Sequence, residues 1–367
     1  MTSHKFTHIF LTLLALIVCA TASVAQSTYN EPGVASDQKQ GSLLFYNTYT
    51  SSIGDASQNT RINITNTHHT SSVNVHLFFV RSIDCTIADT YVCLTANQTF
   101  SFLASEYDPG ETGFIFGVAT DDNGSPINFN YLIGDLYVKS FFGTPNYFQA
   151  NLGAEAFAAQ NKWTGPITGY QKWNENTAAP LFGNDMLCAI AFGLYHDTSS
   201  PAAELTPHAL YDRVPVTLAV DNIQSEADGN ATLLILHSMQ GRTDRAGAIG
   251  TIAGQVFDDV ERGYSFQSSG LSCYSARLIN RASVRVPTGI DRVIPKGKTG
   301  WMYFTAVSSS PVPELGLLGA SIVSNGRNEA SAFNGGHNLH QIRVKDNRGF
   351  AIPVFPSGVS CAPGMTY

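Results

Sequence analysis

The apolar residues of this chain fall in short runs, many of period two, broken by clusters of Gly, Asn, Asp, Ser and Thr. In an extended segment Ile62 and Ile64 point one way and Asn63 and Thr65 the other, the alternation of a strand with one face in a core. Leu77-Phe78-Phe79-Val80 carries too little polarity for a water-facing side. The pattern predicts strands over residues 42–50, 60–66, 73–80, 99–103, 113–120 and 127–138, then 187–195 and 214–221. Further strands are expected near 231–237, 249–257, 273–279, 284–286, 300–307, 317–323, 339–344 and 350–355. Short strands separated by turn residues at this spacing predict β-sandwiches. One stretch breaks the pattern: residues 151–160 are rich in alanine behind Asn151, a good capping residue, and predict a short helix. The excursion that follows, residues 161–185, carries Trp163, Tyr170 and Trp173 among Gly, Pro, Asn and Thr.

The strands recur in a fixed order. Asn59-Thr60-Arg61-Ile62-Asn63-Ile64-Thr65 has a counterpart in Asn230-Ala231-Thr232-Leu233-Leu234-Ile235-Leu236. Gly110-Glu111-Thr112-Gly113-Phe114 answers to Gly297-Lys298-Thr299-Gly300-Trp301, and Leu132-Ile133-Gly134 to Leu317-Leu318-Gly319. A strand and a polar turn precede each copy, with Ser51 and Asp55 in one and Ser225 and Asp228 in the other. Landmarks kept in order are the mark of duplication. The expected fold is all-β: two tandem immunoglobulin-like β-sandwich domains related by internal duplication, with a short helix and a long loop between them. The expected boundaries are a signal peptide at 1–25, a flexible N-terminal segment at 26–40, a first sandwich at 41–212 with its helix and loop insertion near 151–185, and a second sandwich at 213–367. Trp301, at the place of Phe114, is expected in the core.

Composition adds an address. Charged residues are 13% of the chain, against about a quarter in an ordinary soluble protein. The net charge of −7 argues against non-specific nucleic-acid binding. Lys5, an apolar run over 9–20 and Ser23-Val24-Ala25 before Gln26 match a secretory signal, so the chain is expected to be secreted or displayed at the cell surface. Val18 stands before Cys19 where a lipidation signal would place a small residue. No second apolar stretch of spanning length follows, so no transmembrane segment is expected after cleavage. Export permits disulfides. Cys85 and Cys93 flank what reads as a hairpin turn and are the first candidate pair; Cys273 and Cys361 are the second. Cys188, in an apolar run, reads as a buried free thiol.

Candidate chemistry is sparse. Gly297-Lys298-Thr299 lacks the earlier glycine of a phosphate-binding loop, where Arg292 stands instead, and it enters a strand, so it is a turn. His337 and His340 are three apart, a spacing that points strand residues to opposite faces; no shared metal is expected there, nor at His68-His69 beside His76. Asp121-Asp122-Asn123-Gly124-Ser125 offers oxygens but not the full ligand set of a calcium loop. Asp258-Asp259 are sequence neighbours whose side chains diverge on a strand. No cofactor and no metal site are predicted. Trp163, Tyr170 and Trp173 make the one candidate binding group, because exposed flat aromatics stack on sugar rings; packing against the sandwich is the competing role.

Gly41-Ser42-Leu43-Leu44-Phe45-Tyr46-Asn47, the segments 59–67 and 75–80, and Gly336-His337-Asn338-Leu339-His340 together resemble a group of secreted bacterial β-rich proteins of unknown function. The resemblance spans most of the chain beyond the signal and implies export and a bacterial source; it brings no activity, cofactor or site residue. The sequence thus predicts a non-catalytic β-sandwich protein with a binding, adhesion or structural role, its partner an extracellular polysaccharide or a surface protein. A carbohydrate-binding role for the 161–175 loop is the alternative, and an exported hydrolase the third.

Overall fold

The first sandwich comprises β1 (Leu43–Thr50), β2 (Asn59–Asn66), β3 (Val73–Arg81), β4 (Ile87–Leu94), β5 (Thr99–Leu103), β6 (Thr112–Thr120), β7 (Leu132–Phe141), β8 (Tyr147–Gly153) and β9 (Glu155–Phe157), with a one-turn helix α1 (Ala104–Tyr107) before β6. The computed structural model describes residues 33–159, 186–192 and 209–354, apart from 56, 123, 125, 142–146, 240, 243–244, 308–315, 326–333 and 346. Sheet A runs β5-β2-β7-β8 and sheet B runs β4-β3-β6-β1-β9, every pair antiparallel. Tyr46 reaches across from B to donate to the main-chain oxygen of Asn63 at 3.0 Å, and Phe79 meets Phe102 edge-on. The inner pairs β2–β5 and β3–β6 follow the immunoglobulin plan. The first strand, however, lies beside β6, and β7 beside β2, so the chain changes sheet at β1–β2 and again at β6–β7.

A fifth, mixed sheet joins β10 (Met186–Phe192) and β11 (Ala209–Tyr211) to later strands. The second sandwich then follows: β12 (Val214–Gln224), β13 (Asn230–Ser238), the short β14 (Gly241–Arg242) and β15 (Arg245–Ala246), β16 (Gly250–Asp258), β17 (Gly263–Leu271), β18 (Tyr274–Leu278), the one-turn helix α2 (Ile290–Val293), β19 (Thr299–Ala306), β20 (Leu317–Asn325), β21 (Gly335–Asn338), β22 (His340–Lys345) and β23 (Asn347–Val354). Sheet C runs β18-β13-β20-β21 and sheet D β17-β16-β19-β12-β22, the order of A and B strand for strand. Even the irregularities coincide. The β1–β6 ladder slips between Tyr46 and Tyr49, and the β12–β19 ladder between Val220 and Ile223. Asp221 and Asn222 therefore occupy the bulge that Asn47 and Thr48 occupy in the first copy.

Several expectations change, among them the strand at 284–286, where only an isolated bridge from Arg285 to Gln267 forms. The alanine-rich stretch forms β8 and β9, not a helix: Phe148, Ala150 and Leu152 are buried while Gln149 and Asn151 are exposed. Pairing with β7 and β1 outweighs alanine's helix propensity. The strands β4 and β17, which the pattern does not predict, are equivalent edge strands with mixed burial. Because β4 is extended, its residues 87–93 span about 20 Å, too far for Cys85 to reach Cys93. Cys85 is bonded instead to Cys273, 188 residues away, so the expected Cys273–Cys361 pair does not form either. Cys93 is also in a disulfide, whose partner lies outside the described residues, as do Cys361 and the side chain of Cys188. Finally, residues 33–40 are tied down rather than flexible: Val34 bridges Arg213 and Ser36 bridges Ala156. Buried Asp212 accepts from the main-chain N–H of Gly33 and of Ala158 and pairs with Lys39.

Sheet C packs against the outer face of sheet B and carries sheet D on its other side, while β8 of sheet A lies along β20 and β21 of sheet C. Along β13, Leu233 and Ile235 join the apolar cluster of the first sandwich, whereas Leu234 and Leu236 join a second cluster with Val256, Met302 and Phe304 of sheet D. Strands β1 and β3 are accordingly buried on both faces, β1 at every residue. The glycines that mark the repeat have a common cause. A Cβ on Gly113 would strike the carbonyl oxygen of Val80, and one on Gly300 that of Phe257, so close strand approach requires glycine at both. Among the described residues no helix is long and apolar enough to cross a membrane.

Candidate functional site

Most of the chemistry flagged in the sequence is spent on structure. His68 Nδ1 accepts from the main-chain N–H of Ser71 at 2.9 Å and shapes its own turn. His76 is buried with Nε2 2.8 Å from Asp89, and burial holds its pKa below the ordinary imidazole value. Asp122 accepts from Asn74, and Gly124 N–H closes a turn on the oxygen of Asp121. Asp258 caps a turn through the N–H groups of Val260 and Arg262, while Asp259 pairs with Lys298. The Gly297 N–H donates to Asp228, which confirms a turn rather than a phosphate loop. Trp163, Tyr170 and Trp173 lie outside the described residues.

Two equivalent positions have opposite fates. In the first copy the bulge residue Asn47 is buried at the junction between sandwiches. Its amide donates to the oxygen of Gly319 (3.1 Å) and to Asn338 Oδ1 (2.8 Å), and its own oxygen faces His237 Nε2 at 2.8 Å. His237 stacks on Phe114 with ring centres 4.2 Å apart. Thr48 meets the Tyr274 hydroxyl at 2.8 Å. Sheet C thus covers the outer face of sheet B.

In the second copy the matching face, the outer side of sheet D, has no such cover among the described residues. Trp301, at the place of Phe114, is 40% exposed, which overturns its expected core position. It stacks on Phe257 with ring centres 4.7 Å apart and planes 12° off parallel, and Tyr303 adjoins both at 5.8 and 6.1 Å. Directly opposed residues on neighbouring strands share a face, so the row Gln255, Tyr303, Ala219, His340 runs across β16, β19, β12 and β22 on this side. The Tyr303 hydroxyl donates to Gln255 at 2.9 Å.

Asp221, in the bulge beside Trp301, meets both histidines whose spacing argued against a shared site. His337 Nε2 lies 3.0 Å from Oδ1 and His340 Nε2 3.4 Å from Oδ2. The alternation fails because the chain changes sheet between them: β21 pairs with β20 in sheet C and β22 with β12 in sheet D, with Leu339 buried at the step. The two imidazole ring centres are 5.6 Å apart. Asp221 carries no motif of its own; its one sequence signal is the duplication, which sets it opposite Asn47.

No protein-family model matches the chain, and no curated protein matches it. Among solved structures, Thermotoga maritima 1070 is 11% identical over 32% of this chain and 95% of its own, with a TM-score of 0.25. The viral chemokine binding protein R17 of rodent gammaherpesvirus Peru is 8% identical over 85% and 88%, at 0.16. The CupB6 tip adhesin of Pseudomonas aeruginosa is 11% identical over 86% and 92%, at 0.12. Scores this low carry no argument about fold or function.

Proposed function

We propose that this is a secreted or cell-surface, non-catalytic β-sandwich protein of bacterial source that acts by binding, through the open outer face of its second sandwich. The observation that carries this is the contrast between copies. The first copy buries its outer sheet face against the second, while the second leaves Phe257, Trp301 and Tyr303 stacked on a sheet face that no other described element covers. Flat, partly exposed aromatics beside amide and hydroxyl groups suit the faces and edges of pyranose rings, so an extracellular polysaccharide is the favoured ligand and a surface protein the other. The signal-like N-terminus supports export, and the Cys85–Cys273 bridge suits an oxidising compartment.

A polysaccharide and glycan screen of the purified chain tests this, with Trp301→Ala/Tyr303→Ala and Trp163→Ala/Trp173→Ala pairs checked for folding by circular dichroism. Binding lost in the first pair and kept in the second supports the sheet face. The reverse moves the site to the 161–175 loop. No binding by the wild type sinks the carbohydrate ligand.

A further inference from the structure

We propose that Asp221, His337 and His340 form a binding site for a divalent transition-metal ion of the zinc class. Each residue supplies one ligand atom, and the three lie within 4.8 Å of one another. Zinc bonds of about 2.0–2.2 Å in a tetrahedral site space their ligand atoms about 3.3 Å apart; here His337 Nε2 lies 3.0 Å from one Asp221 oxygen and His340 Nε2 3.4 Å from the other, and one ligand atom from each residue falls within 4.8 Å of the other two. The side chains are partly exposed and can close the remaining gap by rotation.

Hydrogen bonding favours a cation at this point. His337 Nδ1 lies 2.8 Å from the main-chain oxygen of Asn338, which can only accept, so Nδ1 carries the proton. This outer bond is the kind that fixes the tautomer of metal-bound imidazoles. Nε2 then faces a carboxylate oxygen of Asp221, with Ser321 Oγ 3.4 Å from the same nitrogen at the limit of a bond. A metal ion between this nitrogen and the carboxylate is the arrangement such an outer bond prepares.

The duplication supplies an independent control. In the first copy the same backbone positions carry Asn47, Leu152 and Glu155: Glu155 faces Phe45 as His340 faces Ala219, and Leu152 sits on β8 as His337 sits on β21. The fold therefore forms without this trio, and among the described residues the three ligands converge in the second copy, on the open face. Two imidazoles with one carboxylate suit zinc, copper(II) or nickel(II); calcium and magnesium prefer all-oxygen shells. The positions not filled by protein face solvent, where water or an oxygen of a bound partner completes the shell. The site does not depend on the glycan reading, since its readout is the ion itself.

The test is titration of the chelator-treated, full-length chain with Zn²⁺ by calorimetry and with Co²⁺ by visible absorption. The expected result is one bound ion per chain, a four-coordinate Co²⁺ spectrum, and weakening on the order of 100-fold in both His340→Ala and Asp221→Asn, extending the loss seen for outer-shell changes. Both residues are more than half exposed, so the variants are expected to melt like the wild type. His68→Ala/His69→Ala serves as the control and is expected to bind normally. A wild type that takes up neither ion, or His340→Ala and Asp221→Asn variants that bind as well as it does, would overturn the proposal.

Discussion

Asn47 and His237, 190 residues apart in sequence, meet at 2.8 Å across the buried junction of the two sandwiches. Asn47 spends its amide hydrogens on Gly319 and Asn338, so its oxygen accepts and His237 Nε2 must donate. Burial pushes the His237 pKa down to about 3 from an ordinary 6.5. Between those values the unfolded chain binds a proton that the native chain does not, so stability falls as pH drops from about 6.5 towards 3, by up to about 1.4 kcal/mol per pH unit. His237→Gln keeps a donor and removes the titration. Urea unfolding across this range is expected to show an acid slope shallower by about one proton; an unchanged slope assigns the loss to other groups.

Glu155 has the opposite sign. It is buried on β9, accepts from Gln341 at 3.2 Å, and its pKa is raised to about 8, first by burial and then by Asp37, with Lys39 opposing. Above about 4.5 the unfolded chain releases a proton that the native one holds, so stability falls as pH rises towards 8. Glu155→Gln is expected to gain melting temperature over the wild type at pH 8 and to lose that advantage at pH 4.5. The His237 and Glu155 slopes oppose each other between about 4.5 and 6.5, which places the flattest part of the wild-type profile there. An equal advantage at both pH values would dissociate Glu155 from the alkaline slope.

The Cys85–Cys273 bridge closes a long loop, its ends 188 positions apart, and ties one sandwich to the other. Cys85→Ser/Cys273→Ser is expected to lower unfolding free energy by roughly 2–5 kcal/mol in denaturant titration. A loss below about 1 kcal/mol would mean that the stacked sheets hold the sandwiches together unaided.

Gly113→Ala and Gly300→Ala each force a methyl group against a neighbouring carbonyl and are expected to cost roughly 1–3 kcal/mol, read as a drop in melting temperature. Gly335→Ala is the control, because a Cβ there meets nothing within 4 Å. Equal tolerance at all three positions would refute close strand approach as the reason for the repeated glycines.

The sandwich architecture was legible because its inner strands alternate and its glycines are fixed by sterics. Ile62 and Ile64 point into the first core as their pattern requires. In the second copy the inward pair is Leu234 and Leu236, one residue beyond the literal sequence match, since β13 is apolar on both sides and its pattern carries no register. The same ambiguity hid how the sandwiches meet: a strand buried on two faces does not say what covers the second. Edge strands β4 and β17 have weak patterns for the opposite reason, exposure. Trp301 misled because equivalent positions in a duplication need not have equivalent neighbours. The Asp221 cluster was unreadable because it depends on a change of sheet between His337 and His340, which no local spacing encodes.

The order of synthesis gives the buried outer face of sheet B a further meaning. The ribosome completes the first sandwich before β13 and β20 exist, and the His237 ring that stacks on Phe45 and Phe114 arrives only with β13. At roughly 5–20 residues per second that interval is on the order of ten seconds, long enough for a prematurely folded half to meet another like itself. The chain is thus one folding unit written as two, and its N-terminal half is safest when held unfolded until its C-terminal half is made.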